Sequence, residues 1–467
     1  TSMGVSMEKN NDSISQALFA AYYQLTMAQA YWEHSQTAES TFSLFIRRYP
    51  KNRGYLVFSG VEDILNHLEN LKFNEKDIDY LKSLNHFSEP FLEYLGNLRF
   101  SGSVRSIKEG SIFFPEEPVL EITAPLIEAQ IIENFVLNRV NVESVLTTKA
   151  SRVIYSAKGR KVSEFGSRRT HGLDAADKLV RAGTIVGFES TGNIHGAAKY
   201  GQKVSGTMGH SFITSFESEI EAFRSYARSF PSSSTFLVDT FDTILGTRNA
   251  IKVALEMREE GNELTGIRLD SGDFGKLAKE VRSLLDQADL KNVKIIISGD
   301  LDEHIIEHLL EIQAPVDSFG VGTKIGTSSD APSIDCVYKL VEYNGIPVLK
   351  LSTGKETIAG RKQIYRFLNK SGLFERDTLA LESEDPSTYP DGYPLLEEVF
   401  KNGERVNQSP TLQNLNDHFT KSFEKLPVEY KHLTTPAIYP VSISEELTKL
   451  QRKALKRADG SQAEPNN

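Results

Sequence analysis

The sequence of 467 residues has one cysteine, Cys336, which excludes an intrachain disulfide framework and a cysteine-rich zinc site. That usage fits a reducing compartment, and the expected location is cytoplasmic. No run of eighteen apolar residues occurs, so no membrane-spanning helix and no membrane partner are expected. Positive charge is also in deficit: 53 Lys and Arg face 63 Asp and Glu, a formal net charge of -10. Nucleic acid is therefore not an expected partner, whereas a small anionic metabolite is compatible with this balance. The opening "TSMGVSMEKNNDS" lacks the charged-then-apolar order of a signal peptide, and "TSMGVS" before Met7 reads as an appended scar. The closing "RADGSQAEPNN" is polar, and residues 458–467 are expected to form a disordered tail.

What is present is enough for a large core. With 39% hydrophobic and 25% charged residues, a chain of this length predicts two or more structural units. From Gln16 to about Leu126 one helical pattern, "ALFAAYYQLTMAQAYWEH", is mixed with strand-like "STFSLFIRRYP" and "GYLVFSGVEDILNHL". A long helical pattern, "IEAQIIENFVLNRVNVESVLTTKASRVIYSA", follows. Seven segments between Lys161 and Gly326 then share one rhythm, a short apolar or β-branched run ending in small and polar residues before a helix. They are "KVSEFGSRRTHG", "TIVGFESTGN", "KVSGTMGHSF", "STFLVDTFDT", "LTGIRLDSGDFG", "VKIIISGDLDE" and "VDSFGVGTKIG". This predicts parallel strands with helical crossovers. Polar clusters at almost every strand end favour an irregular βα barrel, whose site is assembled at one rim, over an open doubly wound sheet. Beyond Pro332, "IDCVYKLVEYNGIPVLKLS" reads as a hairpin around Asn344 and Gly345, and helix returns near "TLQNLNDHFTKSFEKL".

The strand ends carry Arg168, Arg169 and His171, then His210, Asp239, Asp242, Arg268, Asp270, Asp273, Asp300 and Asp302, and finally Gly320 and Gly322. Guanidinium forks suit carboxylate and phosphate oxygens, and several carboxylates could hold magnesium against a polyphosphate. Backbone amides of "FGVGTKIG" suit an anion, so the set describes a site for a phosphorylated sugar. Each motif alone has a plainer explanation. "LDSGD" could simply cap a helix. "FGVGTKIG" is neither a dinucleotide fingerprint nor a P-loop. "HIIEH", His304 to His308, matches an inverted zinc-protease pattern but falls where an outer helix should start. Lys324 could form a Schiff base, although contact with an anion suits it better. Tyr22, Tyr23 and Phe165 could be core, but a ring three residues before Arg168 suits a flat aromatic acid.

"YYQLTMAQAY", "EFGSRRTHG", "SGTMGHSF", "FLVDTFDT", "IRLDSGDFG", "FGVGTKIGTS" and "GRKQIYR" resemble, in that order and over nearly the whole chain, the nicotinate phosphoribosyltransferases. The resemblance implies a type II phosphoribosyltransferase, α/β in class. It implies an α/β sandwich over 7–135, an irregular βα barrel with the active site over 136–335, and a C-terminal segment over 336–457 returning to the sandwich. It also implies a homodimer with shared active sites. The implied substrates are nicotinate and phosphoribosyl pyrophosphate, with ATP as a coupled substrate and Mg2+ as cofactor. By position, Tyr23 (from the neighbouring subunit) and Phe165 would sandwich the pyridine ring, and Arg168 and Arg268 would face its acid group and the ribosyl site. Asp270, Asp239 and Asp300 would line the ribose region, with Asp270 and Asp300 toward the metal. Gly299, Gly320, Gly322 and Thr323 fall in phosphate-binding turns, and Thr191 and Ser271 complete the substrate-binding set. His210 matches the histidine that the family phosphorylates from ATP.

Where nicotinamide-using relatives carry an aspartate, this chain has Gly192, which favours an acid over an amide. Ala21 stands where the family has an acidic residue, and Lys51, Asn52 and Arg53 replace a glycine-rich loop, leaving Arg47 to reach a phosphate. Lys339, Lys350, Lys355 and Arg361 would cover phosphates, or else are scattered surface charge. The rival readings are a nicotinamide phosphoribosyltransferase, a sugar-phosphate aldolase and a metabolite-sensing paralogue without turnover.

Overall fold

The computed structural model describes residues 13–352 and 355–462, so the reading of "TSMGVS" lies outside the described residues. Six of the seven strand-like segments pair in one parallel sheet. Its order is Ser190–Thr191, Lys161–Glu164, Ser318–Val321, Lys294–Ile297, Gly266–Leu269 and Thr235–Leu237. Ile267, Ile295, Ile297 and Phe319 are fully buried, as expected for parallel strands covered on both faces. The third segment is the exception. "KVSGTMGHSF" contributes only a bridge from Val204 to Thr191, and the sheet stays open at that edge as a half-barrel. Gly206 and Gly209 weaken a strand there, and exposed Val204 has no apolar face to bury.

The second unit is an antiparallel sheet of seven strands. Glu39–Ile46, Leu120–Pro125 and Ser103–Ser106 come from the N-terminal region, joined by Cys336–Tyr343, Ile346–Pro347, Glu397–Lys401 and Glu404–Arg405 from beyond the barrel. The expected hairpin is present, with Asn344 and Gly345 both at positive φ (50° and 73°). Another C-terminal portion builds its own sheet of four strands, including Lys362–Leu368 and Phe374–Leu381.

Two expectations are corrected. "GYLVFSGVEDILNHL" is strand only at Leu56–Val57 and helix at Val61–Glu69. Val61, Ile64, Leu65 and Leu68 follow helical spacing and are buried, which the preceding apolar run masks. The tail is not disordered from residue 458, because the helix Glu445–Gln462 continues through it; extending a nucleated helix costs little. The remaining tail residues lie outside the described ones.

The helix Glu133–Ser156 leads into the barrel and carries the buried centre of a charge cluster. Lys149 Nζ lies 2.7 Å from Glu303 and 2.8 Å from Asp330, Arg152 Nε donates to Glu303 at 2.8 Å, and Arg53 pairs with Asp330 at 2.7 Å. Arg152 also donates to Asn52 O at 2.7 Å, so the Lys51–Arg53 segment is tied down. Glu303 opens the helix after the strand Lys294–Ile297, and Asp330 follows the turn after Ser318–Val321. The cluster therefore braces two strand ends from behind. Glu303→Gln leaves Lys149 and Arg152 under-compensated and is expected to cost about 3–5 kcal/mol of folding stability, read by denaturant unfolding. An unchanged midpoint would show that these pairs do not brace the fold.

Candidate active site

A cleft of about 660 Å³ lies at the C-terminal ends of the parallel strands. Its wall includes Phe165, Arg168, His210, Arg268, Asp270, Gly299, Asp300, Gly320, Gly322 and Thr323, so ten sequence-predicted residues meet in one place. A cavity of equal volume beside Phe135 and His67 is lined by Arg139 and Lys178, but these pair with Asp174 and Asp63. In the strand-end cleft, Arg168 makes no ion pair among the described residues, which leaves its fork for a ligand.

Phe165 occupies a slot bordered by glycines. A Cβ at Gly320 would overlap its ring, and one at Gly192 would stand 3.1 Å from it. The peptide N–H of Phe165 donates to Val321 O at 2.8 Å, which fixes the ring at the rim. Thr191 does not line this slot. It is buried, and its Oγ1 donates to Glu164 at 2.6 Å, because alternation along the strand turns its side chain away.

His210 begins the short helix His210–Thr214 and is half exposed. Its Nδ1 is 3.0 Å from Thr240 Oγ1, and its Nε2 lies 3.7 Å from Asp270 Oδ2. Asp270 Oδ1 accepts from Ser298 Oγ at 2.5 Å. Asp239 stands behind this turn, accepting from Asp270 N–H at 3.2 Å and from Ser271 Oγ at 2.5 Å. Asp239 and Ser271 thus shape the Asp270 turn and lie outside the cleft wall. Arg268 Nη1 donates to Thr207 Oγ1 at 2.6 Å, while its buried Nε has no hydrogen-bond partner among the described residues. Burial pulls the pKa of Arg268 down and Asp270 opposes that shift. An anion in the cleft would relieve the same cost.

Gly299 is at φ 97°, with the Asp270 carbonyl where a Cβ would go, and Asp300 follows at φ 51°. Thr323 Oγ1 accepts from Arg169 Nη1 at 3.1 Å. Lys324 is engaged by Asp302 at 3.4 Å and Asp300 at 3.6 Å, contacts suited to an ammonium and not to a Schiff-base amine. His304 and His308 lie on the helix Glu303–Glu311, and no metal-holding group of three side chains occurs among the described residues.

Tyr23, Arg47, Lys350 and Arg361 are outside the cleft of their own chain. Tyr23 is exposed on the helix Tyr22–Glu33, where Gln24 accepts from Ala21 N–H at 2.9 Å in place of a side-chain cap from Ala21. Arg47, Lys350 and Lys355 cluster electrostatically about Lys339. Burial lowers the Lys339 pKa first and these cations add to it, against Glu133. Arg361 is paired with Glu382 at 2.7 Å. Residues that the motifs did not single out are Glu164, Thr207, Thr240 and Ser298. Thr207 and Ser298 adjoin glycines in "SGTMG" and "ISGD", the one signal that could have found them.

Family models match along most of the chain. The N-terminal domain of nicotinate phosphoribosyltransferase matches residues 18–141, the nicotinate phosphoribosyltransferase family 160–404, and the C-terminal domain 389–451. The chain belongs to the nicotinate phosphoribosyltransferase family. Membership along most of the chain makes it an enzyme of NAD salvage. It is 41% identical to nicotinate phosphoribosyltransferase pncB2 of Mycobacterium tuberculosis (strain H37Rv), over 97% of this chain and 96% of that one. The nicotinate phosphoribosyltransferase of Bacillus subtilis (strain 168) is 38% identical, over 95% and 96%. The crystal structure of human nicotinic acid phosphoribosyltransferase superposes with a TM-score of 0.83 at 26% identity, covering 94% of this chain and all of that one. The α/β fold with its half-barrel is therefore the family's. No helix among the described residues is long and apolar enough to cross a membrane.

Gly320→Ala is expected to displace the Phe165 ring and lower kcat/KM for nicotinate about a hundredfold, with little change in melting temperature. Unaltered kinetics would show that the ring does not contact substrate.

Proposed function

We propose that this cleft transfers the phosphoribosyl group of phosphoribosyl pyrophosphate to nicotinate, giving nicotinate mononucleotide and pyrophosphate, with ATP hydrolysis coupled through phosphorylation of His210. The observation that carries the reading is the Phe165 slot, with unpaired Arg168 three residues along and Asp270 and His210 lining the same cleft. A pyridine ring stacks on Phe165, and Arg168 takes its carboxylate. The ring nitrogen donates its lone pair to the anomeric carbon as the bond from that carbon to pyrophosphate oxygen breaks, and pyrophosphate leaves with the electron pair. No proton moves, so no general base is required. Positive charge growing on the ribose is stabilised by Asp270, which Ser298 and the Asp239 turn hold in place. The turns at Gly299–Asp300 and Gly320–Thr323 offer backbone amides to the phosphates.

Magnesium suits this site. Asp270 and Asp300 stand at the rim without a complete cage, the donor set of an ion that draws other ligands from pyrophosphate and water. When bound, it masks the charge of the leaving group. With Nδ1 engaged by Thr240, His210 presents Nε2 as the nitrogen to accept a phosphoryl group from ATP. The homodimer belongs to the same reading. Exposed Leu173, Ile194 and Phe241 lie on the rim segments that follow the barrel strands, and Tyr23 and the Arg47, Lys339 and Lys350 cluster would complete the site of the partner subunit. Gly192 favours nicotinate over nicotinamide, since an aspartate there would approach Phe165 and repel a carboxylate.

The test supplies phosphoribosyl pyrophosphate and magnesium with nicotinate or nicotinamide, with and without ATP. Nicotinate should be preferred by about a hundredfold or more in kcat/KM. ATP should stimulate the native enzyme, and His210→Ala should abolish that stimulation while retaining transfer. Product from nicotinamide alone would overturn the substrate assignment, and stimulation surviving in His210→Ala would overturn the phosphohistidine.

A further inference from the structure

Glu164 ends the first barrel strand, with its carboxylate buried behind Phe165. One oxygen accepts from Gly166 N–H, in the turn that carries Arg168. The other accepts from Thr191 Oγ1 at 2.6 Å, on the neighbouring strand. Thr191 Oγ1 also accepts from Asn193 N–H at 3.0 Å, and Gly192 N–H donates to Glu164 O at 2.8 Å. Two of these four hydrogen bonds, Thr191 Oγ1 to the Glu164 carboxylate and Gly192 N–H to Glu164 O, therefore join the segment bearing Phe165 and Arg168 to the segment bearing Gly192, and the other two tie each segment's own turn to the same pair of side chains. A buried carboxylate is tolerable only when its lone pairs are satisfied, and here the donors come from these two segments alone.

We propose that Glu164 and Thr191 are a positioning pair that sets the width of the pyridine slot and thereby the enzyme's selectivity for its aromatic acid. The proposal rests on the assignment of that slot to nicotinate. Neither side chain touches substrate. They act by holding Phe165, Arg168 and the Gly192 backbone at one spacing. Their side chains make no hydrogen bond to the turns at Gly299–Asp300 or Gly320–Thr323, so their direct hold is on the pyridine side.

Thr191→Val keeps the shape and removes the hydroxyl, whereas Thr191→Ser keeps the hydroxyl. In steady-state kinetics, Thr191→Val is expected to raise KM for nicotinate about tenfold, a loss of one buried hydrogen bond. KM for phosphoribosyl pyrophosphate should stay within about twofold, and preference for nicotinate over nicotinamide should fall. Thr191→Ser should behave as the native enzyme. The proposal is overturned if Thr191→Val leaves KM for nicotinate unchanged, if both KM values rise together, or if Thr191→Ser is equally impaired. A native enzyme that fails to use nicotinate would refute the slot assignment itself, and this inference with it.

Discussion

Parallel pairing is the constraint from which the site follows. Six strands running in one direction deliver every strand end to the same rim, so residues as distant in sequence as Phe165 and Thr323 become neighbours without any long loop. The cost is that backbone must approach backbone closely at that rim. Gly299 against the Asp270 carbonyl and Gly320 against the Phe165 ring are places where a side chain would not fit, and Gly192 leaves the ring only a tight margin. Those absences of side chain shape the slot as much as the residues present.

A rim assembled from separate turns needs support from behind, and the structure supplies it with charge as well as apolar packing. Buried Lys149, Arg152 and Arg53 meet buried Glu303 and the more exposed Asp330 in a charge cluster on the segments that follow the turns at Gly299–Asp300 and Gly320–Thr323. Beside Phe165, Glu164 serves two adjacent turns at once. Both arrangements place ionic groups where hydrophobic side chains could have packed. Such groups add little net stability but fix one geometry, because each charge is costly in any arrangement that leaves it unpaired.

Much of this was legible in the sequence. The polar, glycine-rich ends of "SEFGSRR", "IRLDSGD" and "FGVGTKIG" were visible because buried parallel strands are nearly all apolar and stop abruptly. Thr191 was legible as a strand-end residue, but whether it faced the cleft or Glu164 depended on a one-residue alternation that two strand residues cannot reveal. The helix Val61–Glu69 was hidden by the apolar run before it. The brace from Arg53 to Asp330 spans 277 residues and has no local pattern at all. Tyr23 and Arg47 belong to no cleft within one chain, so neither sequence spacing nor the single-chain geometry joins them to His210.

The most direct test is the position of nicotinate mononucleotide bound to crystals of the protein with pyrophosphate and magnesium. The account predicts the pyridine ring against Phe165, its carboxylate on Arg168, and the phosphates at the turns around Gly299 and Gly320. A ring bound in the cavity beside Phe135, or reversed so that its carboxylate meets Asp270, would contradict it.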